Sequence, residues 1–174
     1  MLARLLFWSI LAATLGVYTA MIFWSIPAIS AEAGGLPIFD MRPGGYTFAE
    51  AQDFLMALTP EGAKFYLRVQ HRLDLAYPAL LAVATGWAMV LLLPRWRWRY
   101  LLPLVPLPGM VFDYLENRAV SVMLAAGAQG LTPEMVAQAS VFSRLKAAFT
   151  TLSLGLLLIL VLVWIVRRWR RRGA

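Results

Sequence analysis

From Leu152 to Val166 the chain runs for fifteen residues without a charge. A helix of about 20 predominantly apolar residues crosses a hydrocarbon core about 30 Å thick. Four stretches approach that length: Leu5 to about Ile29, Leu73 to Leu93, about Leu101 to Leu124, and about Phe142 to Val166. Backbone groups in lipid must be satisfied within their own segment, so such stretches fold as helices. The expected fold is an all-α integral membrane protein, one domain over residues 1–174, with four transmembrane helices. The segment between the first two spans, residues 30–72, is expected to form an outer loop with structure of its own.

The first stretch has Arg4 before it and Ala28-Ile29-Ser30 near its end, a pattern that would also suit a cleaved signal. Its apolar run exceeds the 7–15 residues of a signal core, and Trp8 and Trp24 fall where interfacial aromatics would hold a spanning helix. A retained helix is the expectation.

Charge supplies orientation. Arg95-Trp96-Arg97-Trp98-Arg99-Tyr100 and the tail Arg167-Arg168-Trp169-Arg170-Arg171-Arg172 hold eight of the 16 Lys and Arg residues and no acid. Basic loops mark the cytoplasmic side, so both termini are expected there. Arginine with tryptophan beside a helix end also suits anionic lipid headgroups, which is the expected partner, rather than nucleic acid. The composition agrees, being 61% apolar and only 14% charged where a soluble domain carries about 25% charged residues. Absent cysteine excludes disulfides and thiolate metal sites, and a single histidine, His71, excludes a multi-histidine site within one chain. No cofactor and no metal are expected. His71 reads as an interfacial side chain rather than a ligand.

The outer loop carries turn signals at Gly34-Gly35 and Pro43-Gly44-Gly45. Thr47 with Glu50 fits a capping box, opening a helix with Phe48, Ala51, Leu55 and Leu58 on one side. That amphipathic helix is expected on the outer face, along the membrane, across the bundle mouth, or simply packed against it. Thr59-Pro60-Glu61 and Thr132-Pro133-Glu134 are matched N-caps. Arg72-Leu73-Asp74 and Arg144-Leu145-Lys146 follow each at a common offset of 72 to 73 residues. A duplicated hairpin would place Asp74 and Lys146 near a common axis as an opposite-charge pair. In the third stretch, Pro103, Pro106 and Pro108 disfavour an unbroken helix. Either that helix starts at Leu101 and kinks, or it begins near Gly109 after an irregular half.

Charges within apolar spans are functional-site candidates by default, and face inward where they pair. Asp113, Glu116 and Asn117 stand at i, i+3 and i+4 and share a helical face. Asp74 with Tyr77 opens the second span, Arg118 follows Asn117, and Arg144 and Lys146 open the fourth. The expected network pairs Lys146 with Asp113 or Glu116, and Arg118 or Arg144 with the remaining acids. A structural ion-pair cluster would use the same residues. Three functions suit it: a non-enzymatic accessory or assembly component of a larger membrane complex, a protein that binds or isomerises a small lipid or isoprenoid with paired carboxylates, or a path for protons or ions. The first leads.

The set Gly45-Tyr46, Leu73-Asp74 with Tyr77-Pro78, and Asp113-Tyr114-Leu115-Glu116-Asn117 resembles uncharacterised four-helix inner-membrane proteins of bacteria. That resemblance implies fold and location, and no activity. The chain is also similar to the EXPERA group of sterol isomerases and sigma-2-type receptors, whose four helices hold acids around a lipid pocket. This similarity implies Asp74 and either Asp113 or Glu116 as the matching acids. No shared motif accompanies it, and the proline-broken third segment departs from that group.

Overall fold

The computed structural model describes residues 1–93, 97 and 99–171. The expected basic loop therefore lies partly outside the described residues, at Arg95, Trp96 and Trp98, as does Arg172 of the tail. Among the described residues the protein is helical without strands. Three helices are long and apolar enough to cross a membrane: α1 (Leu2–Glu32), α3 (Pro60–Leu92) and α5 (Pro133–Arg170). Between them lie α2 (Phe48–Ala57) and α4 (Leu107–Gly130).

The caps act where the residues call for them. Thr47 accepts the Glu50 amide while Glu50 accepts the Thr47 amide at 2.7 Å, closing the capping box that starts α2. That backbone bond holds the Glu50 carboxyl below its ordinary range. Thr59 and Thr132 cap α3 and α5, each followed by proline at the first helical position. Both helices consequently start well before the apolar stretches at residues 73 and 142, and the outer loop shrinks. Hydropathy rises only where the apolar stretches begin, whereas a helix starts where its amides find a cap.

α2 packs against α4 and α5, burying Ala51 and Phe54, with Phe48, Leu55 and Leu58 against the same core. That core joins Ile29, Phe39, Tyr66, Val120, Met123 and Val136, contributed by α1, the 33–47 loop, α3, α4 and α5.

The third stretch takes the irregular alternative. A 3-10 turn at Leu102–Leu104 precedes α4, which starts at Leu107. Gly86 of α3 packs so close that an added Cβ would stand 2.8 Å from the Pro103 carbonyl oxygen, so only glycine permits this approach. Gly127, at φ 64°, breaks α4 near its far end.

Side-chain pairings set the register. Along α1 and α3, Phe7 meets Trp87, Tyr18 stacks on Tyr77, and Ser25 bonds Gln70. Along α3 and α4, His71 meets Ser121, and Asn117 reaches the Asp74 carbonyl. Along α4 and α5, Ser143 bonds Glu116, Lys146 reaches Asp113, and Ser153 bonds the Val105 carbonyl. Residue numbers run in opposite directions at each step, so the four helices alternate and Met1 and Arg170 lie at one end. α1 and α3 each contain a π-helical turn, Met21–Ser25 and Tyr66–Gln70, and these two turns meet. π-Turns widen a helix locally and often mark functional positions. Here they deliver Ser25 and Gln70, both fully buried, to the centre of the bundle.

Candidate functional site: a buried carboxyl cluster

Lys146 projects from α5 into a set of acids. Its Nζ lies 2.7 Å from Glu116 Oε2, 3.3 Å from Asp113 Oδ2 and 4.0 Å from Asp40 Oδ1. The lysine side chain is 21% exposed, while Glu116 is 1% and Asp113 6% exposed. Helix geometry explains the convergence: Asp113, Glu116 and Asn117 share one face of α4, and that face meets α5.

Each acid has further support. Ser143 donates to Glu116 Oε1. Asn117 Nδ2 donates to Asp113 Oδ1 and to the Asp74 carbonyl, both at 3.3 Å. Asp74, 2% exposed, accepts from Gln70 Nε2 at 2.9 Å, and Ser25 donates to Gln70 Oε1 at 2.5 Å. Tyr66, fully buried, donates to Asp40 Oδ2 at 2.5 Å. A continuous polar chain thus crosses the bundle from Ser25 through Gln70, Asp74, Asn117 and Asp113 to Lys146.

Of the residues singled out by sequence, the structure gathers Asp74, Asp113, Glu116, Asn117 and Lys146. It leaves Arg118 and Arg144 outside and sets Tyr77 at the edge, near Asp113 and Lys146. Tyr77 stacks on Tyr18, with ring centroids 5.7 Å apart. Among the described residues neither arginine pairs with an acid. Both are exposed, and Arg144 Nε donates to the Ser140 carbonyl of its own helix. A guanidinium that can reach water or headgroups avoids the desolvation that burial beside these acids would impose. The expected Asp74–Lys146 pair is also absent within ion-pair distance, because Asp74 is one helix further across and is held by Gln70.

Asp40, Tyr66, Gln70 and Ser143 were not anticipated. Asp40 stands in a 3-10 turn, Phe39–Met41, whose apolar neighbours Ile38 and Phe39 are fully buried. An acid immediately beside two core residues was the available signal. His71 Nε2 lies 2.5 Å from Ser121 Oγ, a pairing between α3 and α4 rather than a ligand position.

Three buried oxygens in or beside the cluster have no partner in good hydrogen-bond geometry: Asp40 Oδ1, Asp74 Oδ2 and Tyr46 Oη, the last of which stands next to Ser143. Tyr46 is anchored through its amide, which donates to Ser140 Oγ at 2.9 Å. Burial first, then the Glu116 carboxylate, push the Tyr46 phenol well above the ordinary tyrosine range.

A crevice opens against Asp113, lined also by Pro78, Thr85, Gly109, Thr150 and Ser153. It offers about 20 Å³ to the centres of water molecules. One water needs roughly 10–15 Å³ on that measure, whereas a small-molecule site runs to roughly 300 Å³ or more. The crevice is water-sized. No family model, curated protein or solved structure matches this chain.

Proposed function

We propose that the chain is a non-enzymatic bacterial inner-membrane protein of four spans, both termini cytoplasmic, serving as an interaction or assembly component of a larger membrane complex. α4 is the fourth span, reached through the irregular 101–106 segment. Its acids turn into the bundle, which is why mean apolarity undercounts it. The two ends of the membrane follow from the arginines. Arg144 and Arg167 lie 23 positions apart on α5, about 35 Å at 1.5 Å per residue, which matches a hydrocarbon core plus the start of the headgroups. The helix register sets exposed Arg72 and Arg118 near the level of Arg144. These three face the outer headgroups, and Arg4, Arg167 and Arg168 the inner, anionic ones. The carboxyl cluster then sits just inside the outer boundary.

One observation carries the interaction reading. Leu160 is the last buried residue of α5, packed on Met89 and Leu93 where α3 ends. Beyond it α5 continues for ten residues, exposing Leu162, Val163, Trp164 and Val166. The start of α1, at the same end of the bundle, exposes Leu2, Leu5, Leu6 and Trp8. These apolar side chains form a surface suited to another transmembrane helix. The lipid-isomerase reading has less support, since the space beside Asp113 suits water rather than a lipid.

The chain lacks cysteine, so single substitutions Leu162→Cys and Leu6→Cys can carry a photocrosslinker in native membranes. The expected result is one protein adduct of defined mass from both positions. Native mass spectrometry of the gently extracted protein should then show the same partner in fixed ratio. Adducts to lipid alone, with a lipid co-purifying at fixed ratio, would overturn the interaction reading.

A further inference from the structure

Three buried carboxyls, from Asp40, Asp113 and Glu116, lie within 4.0 Å of one ammonium, and the buried Asp74 carboxyl joins them through the Asn117 bridge. The 33–47 loop presents Asp40 and Tyr46, and Arg42, bonded to the Pro37 carbonyl, lies over the Tyr46 ring at 5.9 Å. α1 presents only the Ser25 hydroxyl, and Tyr18 stacks on Tyr77 of α3 to one side. α3 presents Tyr66, Gln70 and Asp74, while His71 faces Ser121 and Arg72 is exposed. α4 presents Asp113, Glu116 and Asn117, with Arg118 outside and Tyr114 bonded to the Leu75 carbonyl. α5 presents Lys146 and Ser143, with Arg144 outside. Lys146 neutralises one carboxylate, and the rest need another counter-charge, because unpaired buried charge is costly.

Two counter-charges are available in principle, a metal cation or protons. Among the described residues no three acidic or imidazole side chains converge as a metal-ligand set. Two further observations are independent of the acid count. The Tyr46 hydroxyl is buried beside the cluster, next to Ser143, with no partner in good hydrogen-bond geometry. The water-sized crevice ends on Asp113 and is lined by the hydroxyl-bearing Thr85, Thr150 and Ser153. Irregular backbone at membrane depth is either buried in protein or lines a wet cavity, and the broken 101–106 segment borders this crevice through Pro106.

We propose that this cluster is a proton-binding site that exchanges with water through the crevice at Asp113. On uptake, a proton moves from crevice water onto an Asp113 carboxylate oxygen, and Lys146 keeps its ion pair with Glu116. On release, the proton returns to water and Asp113 resumes its contact with Lys146. No electrons are transferred and no co-reactant is needed. The site is independent of any protein partner.

The test is infrared spectroscopy of the full chain in nanodiscs, titrated from about pH 5 to about pH 9, the range around neutrality where ordinary carboxyls are already ionised. The folded wild type should show a protonated-carboxyl C=O band that shifts in D₂O and bleaches on raising the pH. Asp113→Asn should remove the bleaching component, and Thr150→Val should slow its D₂O exchange several-fold with the helix signal unchanged. Absence of the band at every pH in folded wild-type protein would overturn the proposal, whether or not the variants fold. So would a band that sodium or potassium removes at fixed pH, since that outcome identifies a cation site instead.

Discussion

Lys146→Ala is expected to lower stability by about 3–5 kcal/mol, the cost typical of stranding a buried charge by removing its partner. The ammonium is the one cation the described residues place among Glu116, Asp113 and Asp40. Without it, Glu116, 1% exposed, keeps only the Ser143 hydroxyl. Thermal unfolding in detergent should show the loss directly. The double variant Lys146→Met with Glu116→Gln separates charge from packing, because it removes both partners at similar volume. It should recover more than half of the lost stability. An unchanged midpoint for Lys146→Ala would mean that Lys146 spends its time in water, and the cluster would lose its centre.

Gly45→Ala is expected to cost about 2–5 kcal/mol, from two sources that add. Gly45 has φ +82°, a conformation that costs an L-residue roughly 1–2 kcal/mol. An added Cβ would also fall against Ser140 Oγ, the acceptor of the Tyr46 amide, and against the Arg144 side chain. Displacing Ser140 leaves that amide buried without its acceptor, at roughly 1–3 kcal/mol. The same thermal measurement in detergent reads this variant. Gly44→Ala is the control, since its Cβ would meet nothing within 4 Å and its φ is ordinary. Equal midpoints for the two variants would contradict the seating of the 33–47 loop on α5.

Much of the fold was legible because it rests on local chemistry. Thr47 with Glu50, Thr59 with Pro60, and Thr132 with Pro133 announce helix starts whose caps the structure contains. The i, i+3, i+4 spacing of Asp113, Glu116 and Asn117 places them on one buried face. The π-turns at Met21–Ser25 and Tyr66–Gln70 were not legible, because they arise where two helices press together and no local propensity encodes that meeting. Asp40 was missed for a related reason. Its partners Tyr66 and Lys146 lie 26 and 106 positions away, and only the tertiary fold brings its turn to them. Arg118 and Arg144 misled in the opposite direction. Charge bookkeeping invited them inward, but a long guanidinium side chain on an exposed helix face reaches polar surroundings at lower cost than it pairs in the core.

The proposed placement puts the carboxyl cluster near the outer boundary and both termini in the cytoplasm. Single cysteines introduced into the cysteine-free chain at Met56, Leu158 and Trp169, all exposed, probe it with a membrane-impermeant maleimide on intact spheroplasts. Labelling is expected at position 56 without lysis and at 169 only after permeabilisation, with protection at 158 in both. Labelling at 169 from outside, or protection of 56 until lysis, would contradict it.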